Sequence, residues 1–320
     1  MSGKKYILAI IISIISLSLV LAACGRQEAA ETGSAELVVV DGMGEEVALD
    51  GVADKIIVFA PSVLEVLDEL DAMDKVIGVD SWSIESGEPL AQGFEAYGDY
   101  SGPNIEKVAE AEPDLIIRLY GSAEEDYDRL KEMGIRIYTF EAQSFERAYE
   151  EIVNLGRMVG KEAEAQQLKD EFQSGVDEIQ QKVDDLDEAQ KPLVFYQIFD
   201  DPLWSAGSNT FIDDMIEKAG GINIVSEDGL DGYVEYSVEK LLENNPQVMI
   251  AGDGGMYDAD SANIILDDPR FASVDAVLEE NVFVVIENYV VRPNHNSVKG
   301  LMMMAKAIHP DIFGQFEIIE

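Results

Sequence analysis

Between residues 161 and 186, apolar side chains return at Ala165, Leu168, Phe172, Val176, Ile179, Val183 and Leu186. Steps of three and four place them on one face of an α-helix. No proline interrupts the run, and Gly160 stands just before it, where a preceding helix can stop. About 26 residues at 1.5 Å each give a rod of roughly 39 Å, long enough to cross a domain-sized body. The 320 residues leave room for a cored unit on either side. The run therefore predicts two lobes, residues 36–160 and 187–320, joined by a single long helix over residues 161–186.

Both flanks carry the same motif. Residues 104–117 read Asn-Ile-Glu-Lys-Val-Ala-Glu-Ala-Glu-Pro-Asp-Leu-Ile-Ile, and residues 237–250 read Ser-Val-Glu-Lys-Leu-Leu-Glu-Asn-Asn-Pro-Gln-Val-Met-Ile. They align without a gap. Each opens on a helix N-cap residue, Asn104 or Ser237, and puts an acid, Glu106 or Glu239, into the first turn. Each short helix then stops at a proline, and a buried strand begins. In either copy alone the glutamate needs no purpose beyond steadying the helix dipole. The doubling implies two similar lobes presenting an acid at equivalent places.

Strand and helix patterns alternate on both sides of the long helix. Residues 55–59, 76–79, 115–117 and 135–140 read as strands, with helices over 61–70 and 124–133 and a closing helix over 145–159. Beyond residue 187, strands at 193–198, 248–250 and 282–286 alternate with helices at 211–219, 272–279 and 297–308. Such alternation builds parallel sheets, so both lobes are α/β and Rossmann-like. A hairpin over residues 36–49 turns at Asp41-Gly42-Met43-Gly44.

The N-terminus is an address. Lys4 and Lys5 precede an apolar run that ends Leu21-Ala22-Ala23-Cys24, similar to a bacterial lipobox. Residues 1–23 then form a lipoprotein signal peptide, and the competing reading is a transmembrane helix. Cys24 is the only cysteine, so a disulfide framework is excluded and a lipidated thioether gives the thiol a use. Residues 24–35, small, polar and acidic, read as a flexible tether. The chain is expected to be exported and lipid-anchored on the outer face of the cytoplasmic membrane. Lys and Arg number 22 against 64 Asp and Glu, a formal net charge of −42. That surface excludes nucleic acid as a partner and reads as a solvated coat, or as a means of steering toward a basic partner.

Three pieces taken in order resemble a family. They are Pro61-Ser62-Val63-Leu64-Glu65, the doubled Glu-helix-Pro-strand motif, and Gly207 with Phe211-Ile212-Asp213-Asp214 and Ala219-Gly220-Gly221-Ile222-Asn223-Ile224. Over residues 36–314 they resemble the substrate-binding lipoproteins of ABC importers for ferric siderophores, haem and vitamin B12. The resemblance implies two α/β lobes joined by one helix, a ligand cleft between them, and little hinge motion. It implies a monomer with no cofactor of its own, whose cargo is an iron-siderophore complex, a corrinoid or haem. It also implies a partner, an ABC importer permease dimer with its ATPase, onto which Glu106 and Glu239 dock.

Ligands of open α/β sheets collect beyond the carboxyl ends of the strands. Loops there carry Trp82, Tyr100, Arg118 and Tyr120 in the first lobe, and Trp204, Tyr257, Arg292 and His295 in the second. Flat aromatics suit a large ring or chelate, and a cleft arginine could clamp a carboxylate or catecholate. Tyr100 is singled out because related proteins carry an aromatic just before the first motif. Each aromatic could equally be packing, each arginine could pair with a surface acid, and His295 could be an uncommitted loop residue. The relatives carry an Arg-Pro-Gly-Pro-like stretch where this chain has Arg292-Pro293-Asn294-His295-Asn296. The expected order of cargo is siderophore, corrinoid, haem. A free-metal carrier is the nearest rival, but only His295 and His309 exist to serve one. An enzyme is the rival of another class. The chain has no Gly-x-Ser-x-Gly, no His-Glu-x-x-His and no cysteine beyond Cys24.

Overall fold

The structure is a computed structural model that describes residues 37–319, except 100, 122 and 254–260. The expected signal peptide, Cys24 and the expected tether, together with Tyr100 and Tyr257, lie outside the described residues. Among the described residues no helix is long and apolar enough to cross a membrane.

The chain enters through an antiparallel hairpin, β1 (Leu37–Val40) and β2 (Glu46–Leu49), whose turn is held by Asp41. One Asp41 carboxylate oxygen accepts hydrogen bonds from the Met43 and Glu45 N–H groups, each at 2.9 Å. The first lobe then alternates β3 (Ile56–Phe59), α1 (Pro61–Glu69), β4 (Val76–Val79), α2 (Ser81–Glu85), β5 (Glu95–Ala96), α3 (Ile105–Ala111), β6 (Leu115–Leu119), α4 (Glu124–Glu132) and β7 (Ile137–Phe140). Its five strands pair in the order β5-β4-β3-β6-β7, all parallel. Because they run the same way, the loops after Phe59, Val79, Leu119 and Phe140 gather at one end of the sheet.

Two helices leave this lobe. The first, α5 (Phe145–Val159), has the bounds its periodicity predicts, from an Ser144 cap to a Gly160 stop in left-handed conformation. The connecting helix, α6, is shorter than expected: Glu162–Gln180, 19 residues, about 28 Å at 1.5 Å per residue. Residues 181–186 tighten into turns, with bonds such as Lys182 N–H to Ile179 O and Val183 N–H to Gln180 O. The cause is charge. Asp184, Asp185 and Asp187 would crowd the negative end of the helix dipole, and no basic residue occupies its last turn. Val183 is still buried, which is why the apolar rhythm outlasts the helix.

The second lobe follows with β8 (Leu193–Gln197), β9 (Phe199–Asp200), β10 (Leu203–Ala206), α7 (Phe211–Lys218), β11 (Ile222–Asn223), β12 (Tyr233–Glu235), α8 (Val238–Asn244), β13 (Val248–Asp253), α9 (Asp275–Leu278), β14 (Val282–Ile286), α10 (Glu287–Val291) and α11 (Ser297–Ile308). Strands β11-β8-β13-β14 form a parallel sheet, and β9-β10-β12 a small antiparallel one.

The lobes are fused rather than strung apart. One buried cluster runs from Ile56 and Leu64 through α5 and α6 to Val194, Ile250 and Met304, and residues 37–320 form one compact unit. Phe172 of α6 sits at its middle, with ring centres 5.7 Å from Phe145 and 5.0 Å from Tyr149. Phe145 in turn meets Phe211 of the second lobe at 4.8 Å. A Cβ on Gly175 would come within 2.7 Å of a Val298 methyl, so α6 lies hard against α11.

The doubled motif is a doubled structure. Asn104 accepts a hydrogen bond from Lys107 N–H and Ser237 accepts one from Lys240 N–H, both at 3.1 Å. Helices α3 and α8 each span seven residues and end on a left-handed residue, Glu112 at φ 47° and Asn245 at φ 44°. Glu106 and Glu239 are both solvent-exposed.

Candidate functional site: the cleft at the strand ends

A cavity of about 570 Å³ opens where the first lobe's parallel strands end, and the α10 segment of the second lobe closes its far side. Phe59, Trp82, Arg118 and Tyr120 line one wall, and Val291 and Arg292 the other. Its size falls in the range of small-molecule sites, and its place is the one that a parallel sheet reserves for ligands. A groove of equal volume lies between β1, α5 and α6, lined by Val38, Val40, Asn154 and Arg157.

Each wall residue is set by local chemistry. Asp80 follows β4 and caps α2, its carboxylate accepting hydrogen bonds from the Ser83 N–H at 2.8 Å and the Ser83 hydroxyl at 2.7 Å. That cap fixes the turn carrying Trp82, whose indole is left 57% exposed. Tyr120, one residue beyond β6, is 55% exposed on the same rim. Both expose large aromatic surface at the rim, which suits contact with a flat ligand.

The two arginines are committed within the protein. Arg118 is 2% exposed, and its two terminal nitrogens donate to the two carboxylate oxygens of Glu124 at 2.7 and 2.5 Å. Its guanidinium also stacks 4.3 Å from the centre of the Tyr127 ring. The hydrogen bonds from Arg118 hold Glu124 below the usual carboxylate range. Arg292 donates from one nitrogen to Glu65 and to Glu88, both at 2.7 Å. Burial works against its charge, but the two carboxylates outweigh that and raise its pKa.

Glu65 is a hub between the lobes. Besides Arg292 it accepts hydrogen bonds from the amides of Asn294 at 3.0 Å and Asn296 at 2.9 Å, and Asn294 also reaches the Ser62 carbonyl at 3.3 Å. The stretch 292–296 is thereby latched onto α1.

Of the residues expected in the cleft, Trp82, Arg118, Tyr120 and Arg292 come together around the cavity. Trp204 and His295 do not line it. Trp204 is half-buried on β10, opposite Phe199 and Glu235. His295 lies half-buried within that latched stretch, near Glu69 and Glu65; its Nδ1 has no hydrogen-bond partner among the described residues, and burial lowers its pKa. Glu65, Glu88 and Glu124 were not singled out from the sequence. The one available signal was Glu65 itself, a charge on a helix whose neighbours Val63, Leu64, Val66 and Leu67 are all buried. Among the described residues no group of three or more His, Cys, Asp or Glu is placed to hold a metal ion.

A family model described as periplasmic binding protein matches residues 56–289. The chain belongs to this family. Among relatives, an uncharacterized ABC transporter substrate-binding lipoprotein of Bacillus subtilis is 26% identical over 308 residues, covering 92% of this chain and 95% of that one. A cobalamin-binding protein of Halobacterium salinarum is 28% identical over 272 residues, 84% of this chain and 73% of that one. Among solved structures, a possible iron-binding periplasmic solute-binding protein of Staphylococcus epidermidis superposes with a TM-score of 0.67 at 27% identity, over 80% of this chain and 99% of that one. As a periplasmic binding protein the chain is a substrate-binding protein of the ABC-importer kind, and its relatives are solute carriers rather than enzymes.

Proposed function

We propose that this periplasmic binding protein captures a corrinoid in the cleft between its lobes and delivers it to an ABC importer. The observation that carries this is the state of the cleft. Two exposed aromatics, Trp82 and Tyr120, offer flat apolar contact, while both arginines are already matched by carboxylates. A cavity of about 570 Å³ grips one edge of so large a ligand and leaves the remainder toward solvent. The similarity to a cobalamin-binding protein supports the same choice. A ferric siderophore, first in order on the sequence alone, is the second reading, supported by the arginines at the cavity wall and by the similarity to a possible iron-binding protein. It ranks lower because an anionic chelate would have to displace Glu65, Glu88 or Glu124 from partly buried ion pairs. Haem, with its two propionates, meets the same obstacle.

The delivery half of the proposal rests on the paired motif. Glu106 and Glu239 stand exposed in the first turns of equivalent helices, one on each lobe, ready for basic residues of a permease dimer coupled to its ATPase. Lipidation of Cys24 would hold the carrier on the outer face of the cytoplasmic membrane beside that permease. Titrating the protein with cyanocobalamin, haem and a panel of ferric siderophores, followed by tryptophan fluorescence, tests the cargo. Saturable quenching by the corrinoid is expected. Binding of a ferric siderophore with no response to the corrinoid would reverse the order.

A further inference from the structure

Two formal positive charges at the cleft, Arg118 and Arg292, face three carboxylates bonded directly to them, and Asp80 and Asp99 add two more at the cavity wall. The pairing is not the loose kind found on surfaces. The Arg118 side chain is 3% exposed although its partner Glu124 is 48% exposed, and the Arg292, Glu65 and Glu88 side chains are 20%, 16% and 10% exposed. The geometry of Arg118 and Glu124 is the parallel two-point match that also makes arginine a good receptor for a ligand carboxylate or catecholate. The site therefore holds the parts of an anion clamp and fills each with an internal anion.

We propose that Glu65, Glu88 and Glu124 form a charge filter that occupies the cleft arginines and sets the carrier's selectivity against anionic chelates. A ligand with no net negative charge rests on the aromatic rim and leaves the pairs intact. An anionic one must either part Arg292 from the largely buried Glu65 and Glu88, or take Arg118 from the more exposed Glu124, in a cleft whose formal charge is already negative. Glu88 and Glu124 are the adjustable members, because Glu65 also holds Asn294 and Asn296. The inference rests on the reading of this cavity as the ligand site, and it does not require that the ligand be a corrinoid.

The test uses the full chain in detergent, with two ferric chelates that share metal and denticity but not charge: a neutral tris-hydroxamate and a trianionic tris-catecholate. Equilibrium titration gives the ratio of the two affinities in the wild type, in Glu88→Gln, in Glu124→Gln and in the double variant, with thermal melts to confirm folding. The wild type is expected to disfavour the trianion. The double variant is expected to shift the ratio toward it at least tenfold, about 1.4 kcal/mol, and each single variant by a smaller factor. Should the double variant fail to fold, the single variants decide. Glu124→Asp, which keeps the charge, is expected to leave the ratio where it stood. Equal change for both chelates, no gain for the trianion, no measurable binding of either chelate to the wild type or the double variant, or a wild type that already prefers the trianion would overturn the filter. Failure of cyanocobalamin to bind would overturn the corrinoid reading alone.

Discussion

Glu151 shows how far a single side chain can be pushed in so acidic a protein. It lies fully buried on α5, accepting a hydrogen bond from the Tyr138 hydroxyl at 2.7 Å, with an Arg147 nitrogen 2.9 Å away. Burial dominates, and its pKa rises from 4.5 to about 8. The folded state thus holds a proton the unfolded chain would release. The resulting stability is complete below about pH 4.5 and is lost as the pH climbs to and through about 8. A shift of this size corresponds to on the order of 5 kcal/mol. Urea unfolding at pH 6 and pH 9 should find the wild type weaker at pH 9, and Glu151→Gln should remove much of that difference. An unchanged pH dependence in the variant would show that another group is responsible. At this scale the cleft was half legible. Trp82, Tyr120, Arg118 and Arg292 could be named because strand ends and loops are visible in the pattern. Their carboxylate partners could not, since 64 acids give no sign of which ones face inward. Trp204 looked like a loop aromatic because β9 and β10 are too short for strand periodicity to register.

Helices and strands were easier to read, because burial imposes a rhythm on them. Helix α5 and strand β14 have the bounds the pattern predicts. Helix α6 does not, since Val183 keeps the apolar rhythm after dipole and charge have ended the helix. Its anchoring should be measurable. Phe172 is 2% exposed and touches Phe145 and Tyr149, so Phe172→Ala should cost about 3–5 kcal/mol in urea unfolding. A loss below about 1 kcal/mol would mean that the helix is not wedged between the lobes. The caps of the doubled motif make a smaller claim. Ser237→Ala removes the bond to Lys240 N–H and should cost about 1 kcal/mol, while the exposed Glu239 keeps its place on α8.

In the whole molecule, two parallel sheets share one core through α5 and α6, and the Glu65 hub latches the second lobe onto the first beside the cavity. A cleft held from both sides is largely formed before its ligand arrives, which lowers the ordering cost of binding. Glu106 and Glu239 sit outside that frame, so changing both to alanine should abolish uptake in cells and leave ligand affinity within about twofold. Unimpaired uptake would remove their docking role. The central claim is that the aromatic-rimmed cleft is where a corrinoid binds, and equilibrium titration of cyanocobalamin against the wild type and Trp82→Ala tests it most directly. The account predicts saturable one-to-one binding that weakens at least tenfold in the variant, with no loss of fold because the indole is exposed. No binding in the wild type, or equal binding in both, would contradict it.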